Sequence, residues 1–201
     1  MDKKLVAIVG SYRKGRITDT AVDAVIEGAV TRGAKAEKIY LLDKDIEFCE
    51  NCRKCASEPL GPVRGQCVHC DDMAEILDKI DSADYVVLAS PVNFFTVTAL
   101  MKRFVERLIV YGYWPWGKKV PAMRIKHATK RAVVITSSAC PTLVARLMMR
   151  NSVRVLNAAA ACVGSRVVKT LYYGGVGQSE NQQLIRSQLV AAFKAGQKLV
   201  G

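Results

Sequence analysis

The sequence of 201 residues lacks any apolar run long enough to cross a membrane. Its first apolar run, residues 5–9, is too short for the core of a signal peptide, and Arg13 and Lys14 follow it rather than a cleavage site. Internal repeats, low-complexity tracts and linkers are also missing. We therefore expect one domain, residues 1–201, that needs no membrane and works in the cytoplasm, where thiols stay reduced.

Two nucleotide-binding motifs with a fixed spacing do not occur. The chain has no Gly-Lys-Ser or Gly-Lys-Thr tripeptide, as a P-loop requires, and no Gly-x-Gly-x-x-Gly pattern, as dinucleotide-binding folds use. It has only two histidines, His69 and His127, and neither has a partner in view. No nucleophile with its base can therefore be named.

Acidic residues are scarce in the second half of the chain. From Arg107 onward there are 15 lysines and arginines but one acid, Glu180, within a net charge of +12. Six of these cations are near neighbours in the sequence: Lys118, Lys119, Arg124, Lys126, Lys130 and Arg131. Such a charge favours an anionic partner, which could be NAD(P)H, an acidic electron carrier such as ferredoxin, or nucleic acid. Because no nucleic-acid-binding motif accompanies the cations, nucleic acid is not the expected partner, and a solvated basic face is the plainer alternative.

What the chain does have is a regular alternation of apolar strand patterns and helical patterns. The predicted strands are residues 5–9, 36–42, 85–89, 132–136 and 166–172. The predicted helices are residues 21–31, a helix capped by Asp72 with Met73, Ile76, Leu77 and Ile80 on one face, and residues 97–110, 142–162 and 179–199. This order predicts an α/β fold, a flavodoxin-like doubly wound sheet of five parallel strands. In such folds ligands bind at the carboxyl ends of the strands.

The loop after the first predicted strand, residues 10–18, suits a phosphate group. It joins a strand to a helix, so backbone N–H groups at the helix start are available to an anion. The hydroxyls of Ser11 and Thr18 and the charge of Arg13 add further donors. A basic turn that is merely solvated is the alternative.

The loop after the third predicted strand, residues 89–95, suits a flat ring. Pro91 fixes a turn and exposes neighbouring backbone groups, which can hydrogen-bond the edge of a heteroaromatic ring. Phe94 or Phe95 would cover the face of that ring. We expect one of the two phenylalanines to lie in the core instead.

Five of the seven cysteines crowd into a loop at about residues 43–72. They are Cys49, Cys52, Cys55, Cys67 and Cys70. Three thiolates in a Cys-x2-Cys-x2-Cys run can converge on one centre, and a later cysteine can complete the set. The spacing leaves three interpretations open: an iron–sulfur cluster, a structural zinc bound by the two Cys-x2-Cys pairs, or thiols that are only packed or redox-active.

Several of these segments together carry a resemblance. They are residues 10–15 followed by Thr18, the cysteine run leading to Cys67-Val-His-Cys70-Asp71-Asp72-Met73, Ala83-Asp84, residues 90–94, and residues 102–107. In order and interval, residues 1 to about 110 resemble the NADPH-dependent FMN reductase and iron–sulfur flavoprotein family. The remainder resembles it in the order of its elements.

The resemblance implies a flavodoxin-like domain that binds FMN and assembles as a homodimer or homotetramer. It implies an oxidoreductase that passes electrons from NAD(P)H or ferredoxin to a small acceptor such as a quinone, a flavin or a metal ion. By position, the phosphate would be held by Ser11, Arg13, Lys14 and Thr18, and the ring lined by Pro91, Val92, Asn93, Phe94, Ser137 and Ser138. Arg16-Ile17 replaces a usual Gly-Asn pair, and Asn93 replaces a usual Tyr. Asp19 would repel the phosphate unless Arg16 offsets its charge.

The resemblance also implies a 4Fe–4S cluster. Counting back from Asp71-Asp72-Met73, its ligands would be Cys49, Cys52, Cys55 and Cys67, which leaves Cys70 over. Residues 56–66 are longer than the corresponding segment of the family, so zinc or no metal stays an alternative. Two further functions stay open: a pure electron carrier in which FMN and a cluster relay single electrons, and a zinc-stapled regulatory or nucleic-acid-binding protein.

Overall fold

The structure is a computed structural model that describes residues 3–58, 63–141, 144 and 149–201. Its strands are β1 (Lys3–Val9), β2 (Ala34–Tyr40), β3 (Tyr85–Asn93), β4 (Thr96–Val97), β5 (Gly112–Tyr113), β6 (Ala122–Met123), β7 (Lys130–Ser137) and β8 (Ser165–Tyr173). Its helices are α1 (Ile17–Val30), α2 (Lys54–Ser57), α3 (Met73–Ser82), α4 (Ala99–Arg107), α5 (Arg150–Cys162) and α6 (Arg186–Val200). Short 3-10 turns occupy Leu41–Asp43 and Leu108–Tyr111.

Five parallel strands form the central sheet in the order β2-β1-β3-β7-β8. The direction in which the strands are added to the sheet reverses between β1 and β3. The carboxyl ends of these two strands are therefore the switch point of a doubly wound fold. The central strands are buried over continuous apolar runs because helices cover both faces of the sheet. The predicted α/β fold of flavodoxin type is confirmed.

Each face of the sheet has its own core. Alternate residues such as Leu5 and Ala7 pack under α1 and α6, whereas Val6 and Ile8 pack on the other face, with α3, α4, α5 and part of the cysteine segment. Helices α1 and α6 approach so closely that a Cβ on Gly28 would lie 2.0 Å from the backbone oxygen of Phe193. The cysteine segment and the α1/α6 pair therefore lie on opposite faces of the sheet.

Several element bounds differ from the prediction. The last helix begins at Arg186, not at residue 179, because Gln182 holds residues 178–182 in a turn by donating to the carbonyl of Gly175 and accepting the N–H of Gln178. Strand β3 runs on to Asn93 and pairs with β4, and the small β5–β6 hairpin was not predicted. Of the helix predicted over residues 142–162, α5 accounts for the part from residue 150, and residues 142, 143 and 145–148 lie outside the described residues.

The cap of α3 also differs from the prediction. Asp71 Oδ1, not Asp72, accepts the N–H of Met73 at 3.1 Å, while Asp72 Oδ2 accepts the N–H of Asp45 at 2.9 Å. Asp72 has helical backbone angles, which place its side chain away from the first-turn N–H groups. Within the described part of the chain, no helix is both long and apolar enough to span a bilayer.

Candidate functional site

A cavity of about 260 Å³ opens at the carboxyl ends of β1, β3 and β7. Three loops meet there because parallel strands end at the same edge of the sheet. A fourth loop, which follows β8, completes the wall. The lining residues are Ser11, Tyr12, Arg13, Arg16, Ile17, Thr18, Pro91, Val92, Asn93, Ser137, Ser138, Ala139, Val176 and Gly177.

The loop after β1 is ordered by its own hydroxyl groups. Ser11 is buried, and its Oγ accepts the N–H of Arg13 at 3.2 Å. The buried Oγ1 of Thr18, in the first turn of α1, lies 2.9 Å from Oγ of Ser137 and ties this loop to the end of β7. The start of α1 borders the cavity through Ile17 and Thr18, where helix N–H groups favour an anion.

The buried carboxylate of Asp19 is neutralised from β2 rather than by Arg16. Lys38 Nζ lies 2.6 Å from Asp19 Oδ1, and Gly15 N–H and Tyr40 O–H donate to Oδ2. Burial works against the charge of Lys38, but its hydrogen bonds to Asp19 and other groups raise its pKa above the usual lysine value. Arg16 instead donates to Asn181 Oδ1. Lys38, rather than Arg16, offsets the charge of Asp19, and nothing in the sequence singles out Lys38.

The carboxyl end of β3 is fixed to the first loop by two buried hydroxyls, those of Ser90 and Thr98. Ser90 Oγ accepts the N–H of Thr98 at 3.1 Å, and Thr98 Oγ1 donates to the carbonyl of Gly10. Thr98 also caps α4 by accepting the N–H of Met101. Pro91 and Val92 lie in β3, where they pair with Ser137 and Val97, so the prediction that Pro91 fixes a turn was wrong and both lining residues are carried on a strand.

Phe94 and Phe95 form the exposed tip of the β3–β4 hairpin. Their relative exposures are 94% and 56%, and their ring centroids lie 5.7 Å apart in an edge-to-face arrangement. Both have positive φ angles, which are costly for aromatic residues and are tolerated here in a two-residue turn. The expectation that one of them lies in the core was wrong, because the turn points both rings away from the sheet.

The loop after β8 is a part of the cavity that the sequence analysis missed. Ser138 N–H donates to the carbonyl of Tyr173 at 2.8 Å, and Val176 N–H donates to that of Ser138 at 3.1 Å. These bonds hold Val176 and Gly177 against the loop after β7. The available signal was the glycine-rich run Gly174-Gly175-Val176-Gly177 directly after a strand.

Eight of the ten residues predicted to hold FMN line the cavity: Ser11, Arg13, Thr18, Pro91, Val92, Asn93, Ser137 and Ser138. The other two, Lys14 and Phe94, lie outside its lining. Lys14 forms a half-exposed ion pair with Asp43 and lies 4.7 Å from the ring centroid of Tyr40. The structure thus brings together the phosphate-loop hydroxyls, Arg13 and the two later loops.

Cys55 lies in the core on one face of the sheet, Cys67 packs against the same core, and Cys49 and Cys52 are half-buried. Cys55 is 5% exposed, and burial raises the pKa of its thiol to about 11, helped by the nearby Cys67, Cys49 and Cys52. Cys70, by contrast, is exposed. Among the residues that the structure describes, no three His, Cys, Asp or Glu side chains are grouped as a single metal ion requires.

Arg107 is a fully buried cation beside Cys67. It makes two hydrogen bonds to the carboxylate of Asp71 at 2.5 and 3.2 Å and one to the carbonyl of Glu47 at 2.8 Å. Its Nη2 also donates to Sγ of Cys67 at 3.4 Å. Burial alone would raise the pKa of Asp71, but the hydrogen bond from Arg107 holds it below the usual range. No pattern in the sequence marks this contact, which joins positions 40 residues apart.

The β5–β6 hairpin packs on the cysteine helix α2. Trp114 N–H donates to the carbonyl of Ala56 at 2.7 Å. The guanidinium of Arg53 stacks 3.6 Å from the ring centroid of Trp114 and 4.3 Å from that of Trp116. The aromatic residues after α4 thus cover one side of the cysteine segment.

Three of the six cations that lie close together in the sequence between Lys118 and Arg131 donate hydrogen bonds to backbone carbonyls. These three do not form a free basic patch. Arg124 donates to the carbonyls of Gly112, Cys55 and Glu58. Lys130 donates to those of Asp81 and Ala83, and burial lowers its pKa. Arg131 donates to the carbonyl of Lys198. Their placement close together in the sequence did not predict these separate roles.

Comparison with known proteins identifies the relatives of this chain. The family model described as NADPH-dependent FMN reductase matches residues 3–165. An iron–sulfur flavoprotein of Archaeoglobus fulgidus is 37% identical over 112 residues, which are 56% of this chain and 48% of that protein. The chain thus spans about half the length of the curated relatives it matches.

Two solved structures share the fold. An NAD(P)H:quinone oxidoreductase from Methanothermobacter marburgensis superposes with a TM-score of 0.75 at 18% identity, over 99% of this chain and 100% of that one. An FMN-dependent NADH-azoreductase from Bacillus anthracis, solved in complex with FMN, gives 0.65 at 15% identity, over 100% and 98% of the two chains. At these identities the likeness concerns the fold alone.

Proposed function

The chain belongs to the NADPH-dependent FMN reductase family, and from that premise we propose that it binds FMN in the 260 Å³ cavity and works as an oxidoreductase. Electrons would pass from NAD(P)H or a reduced carrier to a small acceptor such as a quinone, a flavin or a metal ion. The observation that carries the proposal is the convergence of four loops, with buried hydroxyls and Arg13, on one cavity at the switch point.

The residues divide into two groups along the cavity. Ser11, Arg13 and Thr18 border the start of α1, where donors and the helix N-terminus suit the phosphate. Pro91, Val92 and Asn93, with Ser137 and Ser138, form the other wall and would hold the ring. When bound, the flavin supplies the redox chemistry, and the protein orients it and excludes water. Asp19 stays compatible with a phosphate because Lys38 balances its charge.

An absorption spectrum of the anaerobically purified protein tests this proposal directly. Flavin bands that remain after gel filtration, with FMN released on denaturation, are the expected result. Colourless protein that takes up no FMN on titration would overturn the proposal. Turnover with NADPH and a quinone then separates an enzyme from a carrier.

We also propose that Cys49, Cys52, Cys55 and Cys67 hold a 4Fe–4S cluster. Four cysteine thiolates are the donor set that this group requires, Cys55 and Cys67 pack at the same core, and the buried Arg107 donates to Cys67, where it would balance thiolate charge. The exposure of Cys70 supports leaving it out. When bound, such a cluster relays single electrons. Zinc at Cys52, Cys55, Cys67 and Cys70 is the competing assignment, and a cluster shoulder in the spectrum decides between them.

The second candidate function is a pure electron carrier. The cysteine segment favours it, since a cluster and a flavin in one domain form a relay without any substrate of their own. Slow NADPH oxidation with rapid electron exchange with ferredoxin would support the carrier. The zinc-stapled, nucleic-acid-binding alternative loses support because half of its basic patch is bonded to carbonyls.

We also propose that the protein works in the cytoplasm and assembles as a homo-oligomer. Reduced, clustered thiols suit the cytoplasm. The exposed rings of Phe94 and Trp116 suit burial in a homodimer or homotetramer, since large aromatic residues are rarely left in water. Light scattering of the holoprotein tests the assembly, and a monomer at micromolar concentration would overturn it.

A further inference from the structure

Cys67 follows Cys55 only after 11 intervening residues, yet both side chains pack at the same core on one face of the sheet. An open segment of this length leaves its ends far apart in most conformations, and bringing them together costs conformational entropy. The two cysteines are therefore neighbours only if something closes the base of the segment.

Hydrogen bonds join the two ends of the segment between Cys55 and Cys67 to each other and to the rest of the protein. The N–H of Gln66 donates to both carboxylate oxygens of Glu58, at 3.1 and 3.2 Å. The N–H of Gly65 donates to the carbonyl of Val110 at 2.8 Å, next to the end of α4. Arg64 Nε donates to Asp81 at 2.7 Å, which fixes the returning chain to α3.

The outgoing side of the segment is held by one side chain. Arg124 Nη2 donates to the carbonyl of Cys55 at 3.2 Å and to that of Glu58 at 2.9 Å. The carbonyls of Cys55 and Glu58 are thus both bound by Arg124, the residue that follows β6. This attachment is independent of the bonds made by residues 64–66.

The two sides meet at Gly65. A Cβ built on this residue would lie 1.8 Å from the carbonyl oxygen of Cys55 and 2.8 Å from its carbonyl carbon. Both atoms belong to the backbone, so no rotamer change can relieve the clash. Any side chain at position 65 must separate the chain at Cys67 from the chain at Cys55.

We propose that Gly65 is the positioning residue that places Cys67 beside Cys55 as a ligand of the same cluster. It acts through a backbone contact, two residues before the ligand. The close contact at position 65 also determines that Cys67, rather than the exposed Cys70, completes the set. The inference rests on the proposed cluster and goes beyond it by naming what selects the fourth ligand.

The test compares Gly65→Ala with Gly28→Ala. The control introduces the same backbone clash, 2.0 Å from the carbonyl oxygen of Phe193, on the opposite face of the sheet. Both proteins are purified anaerobically and reconstituted with ferrous iron and sulfide, and iron, sulfide and FMN are measured per chain. We expect about four irons per chain in the parent protein and in Gly28→Ala, but less than about one in Gly65→Ala with FMN retained.

Each outcome decides a separate point. Iron retained at the parent level in Gly65→Ala overturns the positioning role and leaves the cluster proposal standing. A parent protein that takes up no iron overturns the cluster itself. If Gly65→Ala loses both iron and FMN, the variant Arg124→Gln decides, because it removes the hydrogen bonds to Cys55 and Glu58 without adding bulk. Loss of iron with FMN kept in Arg124→Gln supports the inference. Iron kept in Arg124→Gln overturns it.

Discussion

The cavity that we propose for FMN and the cysteine segment, residues 43–72, are held in place by different means. Strand ends of one sheet carry the cavity, and its loops are joined by short contacts such as Thr18 to Ser137. Among its described residues the cysteine segment has only the four-residue helix α2, and side chains from distant positions fix it: Arg107 at Cys67 and Arg124 at Cys55. The cavity therefore depends on the fold as a whole, whereas the cysteine segment depends on a few individual side chains.

Because of this difference, single substitutions in the cysteine segment should remove iron binding and spare FMN binding. Cys67→Ser should reduce iron from about four per chain to less than one, because a cuboidal cluster needs four protein ligands. Cys70→Ser is the matched control and should keep its iron. Both variants should bind FMN as the parent does, measured by flavin fluorescence. Iron retained in Cys67→Ser but lost in Cys70→Ser would show that Cys70 is the fourth ligand.

The buried ion pair at the cysteine end should contribute more to stability than any exposed pair. Arg107→Met leaves Asp71 buried without its partner, and we expect the free energy of unfolding in urea to fall by about 3–5 kcal/mol. The control is Lys102→Met on the same helix, which breaks the half-exposed pair with Glu106 and should cost about 0.3–0.5 kcal/mol. Equal losses in the two variants would contradict the assignment.

The pH dependence of this pair has a defined sign. The pKa of Asp71 is depressed in the folded protein, so its contribution is present above the pKa of the unfolded chain and is lost as pH falls through the folded value. The stability difference between the parent and Arg107→Met should therefore be largest near neutral pH and shrink below about pH 3.9, the ordinary pKa of aspartate. Urea midpoints across a pH series measure it, and a difference that stays constant to pH 2 would contradict it.

At the proposed FMN site, the charge of Arg13 should matter for the binding of FMN. Arg13→Ala should weaken FMN binding by about 1.5–3 kcal/mol, the range for a hydrogen bond to a charged group. Arg32→Ala, an exposed arginine just after the other end of α1, is the control and should bind FMN normally. Isothermal titration of the apoprotein gives both affinities. Unchanged binding in Arg13→Ala would remove Arg13 from the phosphate site.

The same difference explains what could be predicted from the sequence. Apolar strand runs and helical periodicity specify a parallel sheet, and the sheet alone brings Ser11, Pro91 and Ser137 to one edge. The wall formed by Val176 was missed because only glycines mark it. Contacts such as that of Arg124 with the carbonyl of Cys55, 69 residues away, leave no pattern in the sequence, since any exposed arginine looks the same.

The smallest expected effect concerns where an acidic carrier docks. Lys118 and Lys119 lie in the β5–β6 hairpin, which packs on α2 through Trp114, and Lys126 follows the hairpin, so the three lysines should attract a carrier to the cysteine segment. Lys130 is left intact because its ammonium group is bonded to the carbonyls of Asp81 and Ala83. Replacing the three lysines by glutamine should slow reduction by ferredoxin about threefold to tenfold at low salt, with the difference vanishing once the screening length falls to about 3 Å near 1 M salt.

The control for this experiment replaces exposed cations on the other face of the sheet. Arg186→Gln, Lys194→Gln and Lys198→Gln on α6 remove the same charge and should change the ferredoxin rate much less. Reduction by NADPH should stay at the parent rate in both triple variants if the nicotinamide reaches the flavin end, away from the hairpin. Equal slowing by the two triple variants would mean that the carrier responds to net charge alone. The cysteine end would then have no docking role of its own.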